Sequence, residues 1–145
     1  MQRITNKVIP MFEGYCRKNE IDGKEIIATI SGNEVTLIVA ANDDTKAKGL
    51  MGSDDPGDSN GMIFVYEVPA ILDFWMKSVE YDLDILFFDE NSDLVDHITM
   101  AAYQGESDDQ LKIYKSKGPA MYAVELKAGW YDKHCKSEDN VTLRI

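Results

Sequence analysis

Four side chains bring charge or a polar edge into otherwise apolar runs, and chemistry is expected there first. Phe74-Trp75-Met76-Lys77 and Leu83-Asp84-Ile85-Leu86-Phe87-Phe88 are dense apolar segments with one charge each. Read as strands, they alternate faces, so Trp75 shares a face with Lys77, and Asp84 shares one with Leu86 and Phe88. A charge in such a strand is costly unless it is paired, so Lys77 and Asp84 are natural partners if the two strands adjoin. The structural reading is an ion pair at the end of the core. The functional reading is a pocket floor with Trp75 as its wall. Glu125, between Val124 and Leu126, poses the same question. The candidate ligand-binding set is therefore Trp75, Lys77, Asp84 and Glu125. In an enzyme of hydrolytic or lyase type, Asp84 or Glu125 would be the general base and Lys77 would steady an anion.

Other constellations fall short of a reactive centre. A calcium loop of the EF-hand kind starts with Asp, places Gly sixth and Glu twelfth. Counted from Pro56, the residues Asp58, Asn60, Gly61 and Glu67 fall in register, but Pro56 stands where the first Asp must be. Around Asp89, Asn91 and Asp93 the required Gly is Leu94 and the required Glu is Met100, so a hairpin turn is the expectation. His97 and Asp96 are neighbours in a strand pattern and point to opposite faces. His134 lies near Asp132 and Cys135 without zinc-like spacing. Both histidines are expected to pack or to sit on the surface. Cys135 has His134 next to it in sequence, which is poor geometry for general-base activation. No G-x-S-x-G, H-E-x-x-H, Walker or G-x-G-x-x-G motif occurs. Neither a metal nor a cofactor is expected.

These residues must be positioned by a chain of 145 residues, a length suited to one domain with a real core. Hydrophobic residues make up 44% and charged residues 28%, an ordinary globular balance. With 26 acids against 15 bases the net charge is -11. That argues against tracking a nucleic-acid backbone and against an anionic membrane surface. No run is apolar and long enough to span a bilayer, and Val8 to Phe12 is too short for a signal-peptide core. A cytoplasmic protein, or an exported one whose signal has been removed, is expected. The two cysteines, Cys16 and Cys135, form no C-x-x-C pair; unpaired thiols are the expectation, and a disulfide joining the two ends is the alternative in an oxidising compartment.

Residues 1–23 read as a mixed lead-in and 24–145 as a single β-rich domain. Glu25 to Ile30 and Val35 to Ala40 form a hairpin pattern around Ser31-Gly32-Asn33. Asn42 to Thr45 offers helix caps, and a two-turn helix should follow, closed by Gly52. Ser53 to Asn60 is a loop. Strands are expected at Gly61 to Tyr66, Leu72 to Lys77, Leu83 to Phe88, Leu94 to Met100, Leu111 to Lys115, Met121 to Leu126 and Val141 to Ile145. A second short helix is expected within Ala128 to Cys135. About nine short strands with two short helices mean a mainly β fold, a compact sandwich or distorted barrel.

Several segments together resemble the bacterial and archaeal family known as domain of unknown function 192, or uncharacterised protein family 0127. They are Lys48-Gly49-Leu50-Met51-Gly52, Gly61-Met62-Ile63-Phe64-Val65-Tyr66, Phe74-Trp75-Met76-Lys77, Leu83-Asp84-Ile85 with Phe87 and Asp89, Ile98-Thr99-Met100, and Tyr122-Ala123-Val124-Glu125-Leu126 with Ala128-Gly129-Trp130. The resemblance runs from about Ile26 to Ile145. This chain has Ser78-Val79 where the family usually shows Asn-Thr, Asp82 where it shows Pro, a lost Pro near Ala102, and Cys135 where a Gly is common. The resemblance implies a compact β-rich domain with short helices and implies no activity. The expectation is therefore a non-enzymatic binding or accessory domain with a small apolar pocket or patch, serving a small ligand or a protein partner.

Overall fold

The computed structural model describes residues 18–135 and 140–145. Cys16 and most of the expected lead-in lie outside the described residues. A single turn, α1 (Lys18–Ile21), precedes the hairpin of β1 (Glu25–Ile30) and β2 (Asn33–Ala40). Ser31 and Gly32 both have positive φ, 49° and 81°, so the hairpin closes on a two-residue turn that matches strand twist.

A short helix, α2 (Asp43–Lys48), and a long loop then carry the chain over to β3 (Asn60–Ala70), which lies parallel to β2. Parallel strands need such a crossover, and it lays α2 over one face of the sheet. Asn42 is the N-cap, but its side chain caps nothing. Asp22 holds the helix start instead, accepting from Ala41 N at 2.8 Å, Asn42 N at 2.9 Å and Thr45 Oγ1 at 2.6 Å. Burial pulls the Asp22 pKa upward, and these hydrogen bonds outweigh it, holding the carboxyl below its ordinary value. The helix ends earlier than the position of Gly52 suggests. Gly49, at φ 51° and ψ -131°, takes a backbone conformation that L side chains rarely adopt and stops it.

The remaining elements are β4 (Asp73–Phe74), β5 (Leu83–Phe88), β6 (Leu94–Met100), β7 (Tyr114–Lys115), β8 (Ala120–Lys127), α3 (Trp130–His134) and β9 (Leu143–Arg144). Seven strands form one sheet in the order β6-β5-β8-β3-β2-β1-β9, and β4 pairs β7 in a separate ribbon. The sheet curls into a half-barrel, so the fold is mainly β with nine strands, as the strand spacing implies.

Both faces of the sheet are covered, which is why β5 and β8 are apolar almost without interruption. On one face Leu37, Ile63, Leu86, Phe88, Val124 and Leu126 pack under Trp130 of α3 and under Val141 and Leu143. On the other, Phe64, Leu83, Ile85, Phe87 and Ala123 pack under Leu50, Leu72, Met76 and Tyr114. One expected strand is largely absent. Of Leu72 to Lys77, only Asp73 and Phe74 join a ladder, and the chain turns at Lys77 and Ser78. Its apolar side chains are buried by packing against the sheet, not by pairing within it. Leu111 to Lys115 likewise pairs only at Tyr114 and Lys115, after a 3-10 turn at Asp108–Gln110.

Candidate functional site

The parity of β5 and β8 decides where the candidate acids go. Asp84 is on the face covered by α3, with Leu86 and Phe88. Its Oδ1 accepts from Thr99 Oγ1 at 2.7 Å, and its Oδ2 accepts from Gly129 N at 3.1 Å and Tyr131 N at 3.0 Å. Three donors from two places in the chain clamp β6 and the start of α3 to β5.

The expected Lys77–Asp84 pair does not form. Lys77 is on the opposite side of the sheet and bonds Asp108 Oδ2 at 2.9 Å. The Trp75–Lys77 proximity does hold, with Lys77 Nζ 5.4 Å from the Trp75 ring centroid. The pairing argument fails because the Phe74 to Lys77 segment lies across the sheet face beside α2, not next to β5 within the sheet.

Glu125 is on the side of the sheet that Asp84 does not face. It stands opposite Met62 of β3 and Ile85 of β5. Its carboxyl is buried, and no described residue donates a hydrogen bond to it; burial alone pushes its pKa up to about 8. The close pairing of β3 with β8 needs Gly61, because a Cβ there would meet the Glu125 carbonyl oxygen at 1.8 Å.

Above Glu125 opens a cleft of about 350 Å³. Phe64 and Tyr66 of β3, Phe74 and Trp75 of the ribbon, and Gly49 and Leu50 after α2 line it, with Glu125. Phe64 and Phe74 meet edge to face at 4.8 Å between centroids. A Cβ on Gly49 would just touch the Phe64 ring, at 3.4 Å, so it is the backbone conformation there that favours glycine. Lys46 Nζ lies 3.9 Å from the Tyr66 ring centroid. Burial, then the Asp73 and Glu125 charges, push the Tyr66 pKa up to about 12. The ribbon is fixed in place by Ser116, whose N donates to Leu72 O at 2.8 Å and whose Oγ accepts from Leu72 N at 3.0 Å.

So the cleft brings together Trp75 and Glu125, and it leaves out Lys77 and Asp84. Phe64, Tyr66 and Phe74 also line the cleft, and the sequence reading does not single them out. Their aromatic character inside β-rich runs was a signal, but the crossover that sets α2 above them left none. Asp108, the partner of Lys77, sits in a polar loop with no distinguishing pattern.

The acidic near misses have other uses. Asp89 Oδ1 accepts from Asn91 N and Asp93 N, an Asx turn within the β5–β6 hairpin. Asp58 bonds Lys133 at 3.2 Å. Among the described residues no three His, Cys, Asp or Glu side chains gather as a metal site would require. His97 stacks on Tyr131 and His134 on Trp130. Cys135 is buried after α3.

The DUF192 family model, described as "Uncharacterized ACR", matches residues 26–143. The chain belongs to this family. No curated protein matches it significantly. A crystal structure from Sinorhizobium meliloti 1021, described as a "putative transcription regulator", is similar with a TM-score of 0.73 and 23% identity. The match covers 86% of this chain and 96% of that one. A protein of unknown function from Novosphingobium aromaticivorans DSM 12444 gives a TM-score of 0.69 at 21% identity, over 83% of this chain and 85% of its own. At these identities the likeness shows the DUF192 fold alone.

Two of this chain's departures from the family resemblance have a backbone explanation. Ser78 has φ 58°, in the left-handed region that Asn tolerates better than Ser. Asp82, where the family resemblance has Pro, fixes its turn by accepting from Ala102 N at 2.7 Å.

Proposed function

We propose that this DUF192 domain is a non-catalytic binding domain whose small ligand occupies the cleft beneath α2. One observation carries the reading. The Glu125 side chain lies at the floor of an aromatic cleft, its carboxyl opening onto the cavity with no hydrogen-bond donor supplied by the described residues. A carboxyl set among apolar side chains and left to the cavity by its own fold is available to pair with a ligand group. The cavity has the size of a ligand pocket, with an aromatic and aliphatic lining, charged groups of α2 and Asp73 around it, and Glu125 at its floor. The net charge of -11 favours a small molecule over a polyanion such as nucleic acid.

The rival reading, a hydrolase or lyase using Asp84 or Glu125 with Lys77, loses its support. Those side chains do not converge on a common point, and convergence is what such chemistry needs.

Thermal unfolding against a panel of amines, amino acids, sugars and nucleotides tests the binding reading. A ligand at a hundred times its Kd should stabilise by about 2.7 kcal/mol and raise the midpoint. The shift should vanish in Trp75→Ala while that variant still unfolds cooperatively. A panel without a single shift, or a shift unchanged in Trp75→Ala, would overturn the assignment of the cleft.

A further inference from the structure

Resting on that reading of the cleft, we propose that its ligand carries an organic cation, a primary or quaternary ammonium group, seated on the Glu125 carboxyl between Phe64, Tyr66, Phe74 and Trp75. Three features of the site point to this class. The first is the unpartnered carboxyl, which a cation would pair and so relieve of its burial cost. The second is the wall. Aromatic faces attract ammonium groups, most strongly where they are desolvated, and clustered rings are a recurrent means of holding one. Lys46 Nζ, 3.9 Å from the Tyr66 centroid, shows a ring of this cleft already receiving a protein ammonium.

The third feature is the charge balance. The charged groups lining the cleft are Asp43, Lys46 and Lys48 from α2, Asp73 from β4 and Glu125 from β8. Formally, Asp43 and Asp73 offset Lys46 and Lys48, so the site is near neutral while Glu125 keeps its proton and becomes negative when Glu125 ionises. The phenols of Tyr66 and Tyr81 are the remaining titratable neighbours, and both are pushed above their ordinary pKa, so they stay neutral when Glu125 ionises.

Burial holds a proton on Glu125 at neutral pH. A cation must therefore displace that proton as it binds. Uptake of R-NH3+ by the neutral carboxyl gives the carboxylate–ammonium pair and one proton in solution. The apparent affinity should then rise about tenfold per pH unit while the pH is below the Glu125 pKa, and level off above it.

The test uses four probes of similar size at pH 6, 7 and 8.5, with n-butylammonium and tetramethylammonium as cations, n-butanol as neutral and n-butyrate as anion. Binding is followed by calorimetry in phosphate and in a buffer of different ionisation enthalpy. The expected result is binding of the two cations, tighter at pH 8.5 than at pH 6, with release of close to one proton at pH 7. Glu125→Gln, of nearly the same shape, should abolish cation binding and its proton release while keeping the fold. Trp75→Ala should weaken it at least fivefold. If n-butanol or n-butyrate binds as well as the cations, in a Trp75-dependent way, the cation class is wrong and the binding cleft stands. If a cation binds with no proton release and equally to Glu125→Gln, the Glu125 seat is wrong. If none of the four binds at 50 mM, the cation proposal falls, whatever the wider panel shows.

Discussion

Asp84 and Glu125 are two buried carboxyl groups on adjacent strands, 3% and 4% exposed, one register step apart. They lie on opposite faces of the same sheet, and the protein treats them in opposite ways. Asp84 is saturated by Thr99, Gly129 and Tyr131 and ties α3 to the sheet. Glu125 is given nothing by the described residues and faces a cavity. Burial alone does not mark a functional acid. What separates the two is whether the fold has already satisfied the group.

The largest effect expected from this contrast is on Asp84. Asp84→Ala strands two backbone N–H groups and a hydroxyl beneath α3. Chemical denaturation should show a loss of about 2–4 kcal/mol, since hydrogen bonds to a charged group are worth about 1.5–3 kcal/mol and buried donors are left unpaired. A loss below about 1 kcal/mol would mean that the clamp is not what holds α3.

Glu125 should respond with the opposite sign. Its folded pKa, about 8, lies above the ordinary glutamate value of 4.5. Between those two pH values the folded state holds a proton that the unfolded state has released, so stability falls as pH rises through the window. The full decline should be on the order of a few kcal/mol, complete above the folded pKa. Glu125→Gln removes the group that titrates. It should match the wild type at pH 4 and exceed it at pH 9. Parallel stability curves for the two proteins across that range would refute the unsatisfied-carboxyl picture.

Much of the fold was legible in the sequence, and the contrast between the two acids was not. The β1–β2 hairpin announced itself through two β-branched runs about a Ser-Gly turn, and β5 and β8 through unbroken apolar character. Those signals are local. The segment from Leu72 to Lys77 carries the same apolar signal, yet only two of its residues pair, because apolarity reports burial and not hydrogen bonding. Lys77 and Asp84 looked like partners because each is a lone charge in an apolar run. Their separation follows from topology: the β2–α2–β3 crossover and the ribbon occupy one face, while α3 occupies the other. Alternation in the sequence does say that Asp84 is on the face of Leu86 and Phe88. It does not say which later segment will cover that face. That Trp75 and Glu125 stand out was legible because their anomaly is intrinsic: a large aromatic and an acid, each in an apolar setting, and both line the cleft.

The position of Glu125 depends on how closely β3 approaches β8, and Gly61 sets that approach. Gly61→Ala would push a methyl group into the Glu125 carbonyl, whose backbone atoms are the nearest and cannot yield as a side chain would. Overpacking of this kind costs about 1–3 kcal/mol, occasionally more. The expected outcome is a lower unfolding midpoint together with weaker binding in the cleft, since the strand that carries Glu125 must shift. A Gly61→Ala protein with unchanged stability would show that the strands separate freely there and that the cleft floor is not rigid.

The smallest effect is expected where the sequence suggested the most. Lys77 was the candidate partner of Asp84, but its ammonium bonds Asp108, and both side chains are well exposed, at 35% and 59%. Ion pairs of this sort contribute about 0–1 kcal/mol because water and salt screen them. Lys77→Ala should therefore lower stability by well under 1 kcal/mol, and added salt should erase even that. Combined with Asp84→Ala, its effect should simply add, since the two groups share no partner. A coupling energy above about 0.5 kcal/mol in that double-mutant cycle would restore the pairing that the sheet's two faces rule out, and with it the convergent site an enzyme would need.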